Sequence, residues 1–219
     1  MAEKSILFST EMVKAILAGK KSVTRRVIKP QPAMRLEPSE LPQYPDEWFD
    51  ENGYYWRCPY PPGTVLWVKE TWYDRRDRTP ETQDLNAVHY AADWQPTDEI
   101  AYLHYKRPSI HMPRAAARLF LRVKSVRVER VQEISERDAD AEIFGGDFAH
   151  HPSVCYKFSP VYNSDGACIE PGGCYCAGYS LVELFSMYWN DINKKRGYGW
   201  DVNPWVWVIE FEVIKDATD

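Results

Sequence analysis

The spacing of apolar positions changes along the chain, and each change marks an element. Ile6 to Phe8 predicts a short strand running into Ser9-Thr10, either of which can cap a helix by accepting a bond from a free backbone amide. Met12, Val13, Ile16 and Leu17 then recur at helical spacing, and Gly19 supplies the stop. Thr64 to Trp72 predicts a strand after a Pro-Pro-Gly turn. From Arg118 to Arg130 the pattern alternates: Leu119, Leu121 and Val123 point one way, Arg118, Arg122 and Lys124 the other. A helix capped by Ser135, with Asp138 near its start, is expected to run to about Phe144 and end at Gly145-Gly146. Ser180 to Glu183 forms a capping box for a further helix with Leu184, Phe185, Tyr188 and Ile192 as its apolar stripe. After a Gly-Tyr-Gly-Trp turn at 197–200, Trp205 to Ile214 closes the chain as a strongly apolar strand.

Three segments break this order. Residues 27–63 hold many prolines and little periodicity, 73–100 are polar and acidic with one short strand near Val88 to Tyr90, and 146–178 show no clear period. They are expected to be insertions in a single domain spanning 1–219, a small mixed α/β unit with a curled sheet. There is no internal repeat.

Hydrophobic residues make up 44% of the chain and charged residues 27%, which excludes a largely disordered protein. The net charge of −5 excludes a generally basic nucleic-acid coat protein. Any nucleic-acid contact would need a local patch, and two basic groups qualify. One comprises Lys14, Lys20, Lys21, Arg25, Arg26 and Lys29; the other runs from Lys106 to Arg130 with Glu129 its sole acid. The stripe on 118–130 is most simply a solvated strand face. No apolar stretch approaches the roughly 20 residues that span a bilayer, and the N-terminal apolar run is too short for a secretory signal. A cytoplasmic protein with no membrane partner is expected. Five cysteines then argue against a disulfide framework.

Gly19-Lys-Lys21-Ser-Val-Thr24-Arg-Arg26 carries the most chemical information, as a G-x-K-x-x-T-x-R pattern directly after the first helix. It resembles the signature of the ASCH domain family, a branch of the PUA-like superfamily. Three further pieces follow in order. Pro62-Gly63-Thr-Val-Leu-Trp resembles the family's G-D-x-L strand start, with Thr64 in place of Asp; Val126 to Ser135 resembles its central strand and helix entry; Trp205 to Phe211 resembles its closing strand. Arg107 to Pro113 and Lys195 to Trp200 are similar to segments of longer ASCH proteins encoded by phages and prophages. The resemblance implies an α+β fold, a small PUA-like mixed β-barrel with flanking helices and two or three insertions.

It also implies an activity. Small bacterial members hydrolyse N4-acetylcytidine with a lysine, a threonine and a glutamate, which map onto Lys21, Thr24 and Glu142. The expected enzyme is an amidohydrolase removing the acyl group from N4-acylated cytosine nucleosides, with no cofactor required for catalysis. Thr24 would be the nucleophile and Lys21, three residues earlier, its base, reached if the backbone bends like a helical turn. A free lysine titrates near 10.4, so it needs desolvation or neighbouring cations such as Lys20, Arg25 and Arg26. A close carboxylate opposes that, so Glu142 is better suited to positioning the lysine, or to meeting the cytosine amino edge and protonating the leaving group. Arg26 could stabilise an anion or bind sugar or phosphate.

Trp67 and Trp72 are an odd number of residues apart, so a regular strand points them to opposite faces. Trp72 would share its face with Glu70, in a region that borders the cleft of a PUA-like barrel. This pair, with Tyr198 and Trp200 as a base-stacking lip, completes the expected substrate-binding set. Trp205, Trp207 and Phe211 are most simply core. Cys155, Cys168, Cys174 and Cys176 could hold a structural zinc, although C-x12-C-x5-C-x-C lacks paired knuckles and unrelated free thiols would look the same. Cys58 reads as a lone thiol. The rival functions are a non-catalytic RNA or modified-base binding module and a ribonuclease of the same family. Both should depend on the basic stripes and weaken steeply with salt.

Overall fold

The structure, a computed structural model, describes residues 3–40, 46–75, 88–93, 104–142 and 179–214. In chain order its first elements are β1 (Glu3–Leu7), α1 (Thr10–Leu17), β2 (Val23–Val27), β3 (Glu37–Pro38), β4 (Glu47–Phe49) and β5 (Tyr55–Arg57). Next come β6 (Val65–Lys69), β7 (Trp72–Arg75), β8 (His89–Tyr90), β9 (His104–Arg107) and β10 (Phe120–Arg130). The last are α2 (Glu136–Glu142), α3 (Leu181–Asn193) and β11 (Trp205–Ile214). The class is mixed α+β. The strands form one five-stranded and two three-stranded sheets, and among the described residues none closes into a barrel. Among those residues no helix is long and apolar enough to cross a membrane.

The chain divides into two compact units. The first comprises Met1–Gly19, Tyr60–Ser125 and Phe211–Asp219; the second comprises Lys20–Pro59 and Val126–Glu210.

In the first unit β1 runs parallel to β6, with Ile6 opposite Val68, and β6 pairs antiparallel with the start of β10. Ser9 caps α1, its hydroxyl accepting from the Met12 amide, and Gly19 follows the helix at φ +70°, where a side chain would be strained. The strand expected over 64–72 is broken. It ends at Lys69 and a second begins at Trp72, joining a different sheet between β8 and β9. The cause lies at Glu70, whose amide donates to Met112 Sδ at 3.3 Å and whose carboxylate turns inward to an arginine. A periodicity rule cannot see that break, because the partners that turn Glu70 inward, Met112 and Arg118, lie far along the chain.

In the second unit β2 pairs antiparallel with β11, Thr24 opposite Ile209 and Arg25 opposite Val208. Every side chain from Trp205 to Ile209 is buried, so β11 is covered on both faces rather than on one. Trp48 of β4 meets Trp207 edge-on at 5.5 Å, which anchors the small β3–β4–β5 sheet formed within the proline-rich segment. Ser135 and Ser180 cap α2 and α3 as their hydroxyls suggest, Ser180 in a full capping box with Glu183. The buried face of α3 is Leu184, Phe185 and Trp189, while Ile192 is exposed. The stripe is thus rotated from the expected one, because Trp189 finds a partner for its indole N–H in the Tyr198 carbonyl at 2.8 Å.

The burial pattern of β10 changes parity along its length. Leu121 and Val123 are buried near its start and Val128 near its end, an odd step away. The change falls about Ser125, where the strand passes from one unit to the other.

Candidate active site

Residues 20–22 link α1 to β2 and are tied to the last residues of α2. The Ser22 amide donates to the Ala141 carbonyl at 3.2 Å. Lys21 Nζ donates to the Glu142 carbonyl and to the Val23 carbonyl, both at 2.7 Å. Both carbonyls are thereby answered by a lysine amine. Lys21 is only 2% exposed. Burial pulls its amine down to about 8, and Arg26 and Arg25 push the same way against the opposing effect of Glu142. A neutral amine has two N–H groups, enough for these two carbonyls.

Lys21 and Thr24 do not lie on one helical turn. Thr24 is inside β2 and Lys21 precedes it, and Thr24 is buried. Strand alternation puts Thr24 and Arg26 on one face and Val23, Arg25 and Val27 on the other.

Arg25 organises that second face. Its amide donates to Glu142 Oε1 and its Nη1 to Glu142 Oε2, each at 2.6 Å. Its Nη2 reaches Glu129 at 3.1 Å and Asp138 at 3.2 Å, and its guanidinium carbon lies 5.8 Å from the Phe185 ring centroid. Arg127 joins the same cluster through Glu129, Asp138 and Glu210. Both oxygens of Glu142 are therefore engaged by Arg25, and Glu142 touches Lys21 through its backbone carbonyl. The dominant role of Arg25 escapes sequence reasoning that treats it as one of several crowding cations. Its place on the Val23–Val27 face was the available signal.

Glu70 and Trp72 belong to the first unit. Glu70 is 1% exposed and accepts two bonds from Arg118, at 3.0 and 3.1 Å. Burial raises its pKa while Arg118 works against the rise. Arg118 also pairs with Asp93 and stacks over Tyr90 at 3.9 Å. Trp72 packs with Val88, Met112 and Ala116, and its indole nitrogen is buried with no partner among the described residues. The two residues do not share one regular strand face, since the chain breaks between them.

Tyr198 and Trp200 lie in the second unit. Lys29 Nζ sits 5.1 Å from the centroid of the half-buried Tyr198 ring. Trp200 meets Phe185 edge-on at 6.1 Å and donates its amide to Asn190, so it forms packing rather than an open lip. Two cations of β10 turn to the protein's own acids, Arg122 lying 3.8 Å from Glu212 and Arg127 held as above. Arg130 stacks over Trp205 at 4.2 Å.

Two clefts open in the segment 27–63. One, of about 720 Å³, carries Arg35 with Glu37, Glu40, Asp50 and Glu51; the other, of about 540 Å³, holds Lys29 and Arg57 among aromatic rings. Among the described residues no cluster of three or more His, Cys, Asp or Glu is placed to hold a metal ion. Cys155, Cys168, Cys174 and Cys176 lie outside those residues, and the Cys58 thiol is buried. The chain matches no family model, no curated protein and no solved structure.

Proposed function

We propose that the protein is an ASCH-type, PUA-like amidohydrolase that removes the acyl group from N4-acylated cytosine nucleosides. The observation that carries this is Lys21. A fully buried amine held by two carbonyls, lowered to about 8 and three residues from a buried threonine, is suited to general-base work near neutral pH. In this scheme Thr24 Oγ1 attacks the acyl carbon and its proton passes to Lys21 through one bound water, since the extended backbone does not stack the two on a helical turn. The C–N4 bond then breaks, N4 leaves with a proton, and water hydrolyses the threonine ester. Arg26 shares the strand face of Thr24 and would stabilise the oxyanion. Glu142 acts as a positioning group, its carbonyl holding the lysine and its carboxylate fixed by Arg25.

Incubation with N4-acetylcytidine, followed by chromatography of cytidine, tests the scheme. Wild type should turn over with kcat/KM rising through an apparent pKa of about 8. Lys21→Met and Thr24→Val should lower it by about 10²-fold or more at unchanged fold. A folded wild type without turnover would overturn the hydrolase and leave a binding module.

A further inference from the structure

We propose that the smaller cleft of the second unit, at Lys29 and Tyr54 to Arg57, is a docking site for single-stranded nucleic acid. It does not rest on the hydrolase scheme. Tyr54 is 69% exposed and Tyr55 60%, a large pair of rings to leave in water side by side. They stand on a stiffly built turn. Asp50 Oδ1 accepts from the amides of Asn52 and Tyr54 at 3.0 and 2.9 Å, and the Asp50 amide donates to the Tyr54 carbonyl at 2.9 Å. Gly53 sits at φ +81°, the left-handed conformation this turn requires. Below them Trp56 Nε1 donates to the Pro30 carbonyl at 3.0 Å, and Phe49 lies 6.1 Å from the Tyr55 ring. The backbone that presents the rings is therefore already ordered, which favours stacking on flat partners.

Charge selects the partner. The cleft is lined by two cations, Lys29 and Arg57, and by no carboxylate. Asp46 and Glu47 pair with Arg57 through Nε and Nη2, while its side chain stays 63% exposed. Lys29 bridges to Tyr198, and the exposed run Lys194–Arg196 ends two residues before that ring. Exposed rings in a cleft whose lining carries cations and no carboxylate match a strand that offers bases and phosphates together, with Lys29 the cation that no carboxylate lining the cleft offsets. The neighbouring cleft has a similar size but four carboxylates, and serves as an internal control.

The test is fluorescence anisotropy of the full chain with labelled dT12 and rU12 across a salt series. Binding should weaken with added salt, and Tyr54→Ala with Tyr55→Ala should reduce it about tenfold or more. Lys29→Glu should reduce it and flatten the salt dependence, while Thr24→Val and Glu37→Gln should leave it unchanged. A preference for rU12 over dT12 would assign RNA, and equal binding either sugar; both support the site. Absence of binding, or binding that the tyrosine and lysine variants leave intact, would overturn it. Hydrolysis of N4-acetylcytidine stays unaltered in the tyrosine variants whichever result is obtained.

Discussion

Each unit buries an arginine against carboxylates, yet the two clusters differ in kind. In the second unit Arg25 has a fully buried side chain and answers Glu142, Glu129 and Asp138 at once. In the first, Arg118 is about a quarter exposed and holds Glu70 in a two-point grip, with Asp93 at the surface. Burial also acts on opposite partners: it lowers the Lys21 amine beside the first cluster and raises the Glu70 carboxyl inside the second. A buried charge is costly wherever it sits, so the fold favours the neutral form of whichever group is less well answered. Beside Arg25 that group is a lysine with carbonyl acceptors, a reactive arrangement. At Arg118 it is a carboxyl with a direct guanidinium, a structural one.

Removing the arginines gives the largest contrast. Arg25→Met leaves the buried Glu142 carboxylate without its guanidinium, while Glu129 and Asp138 keep Arg127, and should cost about 3–5 kcal/mol in urea unfolding. Arg118→Met leaves Glu70 able to take up a proton and Asp93 in water, and should cost about 1–3 kcal/mol. Equal losses would erase the distinction.

The pH dependence of stability sharpens it next. Below about pH 8 Lys21 is protonated folded and unfolded, and its burial penalty is constant. Between about 8 and the ordinary 10.5 the unfolded chain binds more protons, so stability rises with pH. Relative to Lys21→Met, wild type should gain up to about 3 kcal/mol across that window. A flat difference in denaturation midpoints would mean that the amine is not depressed.

The smallest effect is expected at Glu70. Its raised carboxyl means the folded state binds more protons just above the ordinary value of 4.5, so its contribution grows as pH falls through that interval. Glu70→Gln should remove this acid-side gain and change stability at neutral pH less than Arg118→Met does. Glu70→Gln should therefore lose stability on acidification faster than wild type, and a variant that loses it more slowly would contradict the sign.

Local chemistry was legible in the sequence. Ser9, Ser135 and Ser180 cap the helices they precede, because a hydroxyl two or three residues from a free amide acts at short range. The closing strand Trp205–Ile214 and the short strand at His89–Tyr90 lie where their patterns put them. The K-x-x-T spacing marked Lys21 and Thr24, and both are buried, as few surface-loop residues are. Elements with local causes, the caps, turns and apolar strands, could thus be read along the chain.

Tertiary structure alone decided the rest. The rotation of α3 rests on a contact with Tyr198 beyond the helix's own end, and the break at Glu70 and the tie between Lys21 and Glu142 join residues far apart in the chain. So does the choice of Arg25 rather than Lys21 as partner for the Glu142 carboxylate. A charge's partner is set by which faces meet in a low-dielectric interior, and spacing along the chain carries no record of that meeting.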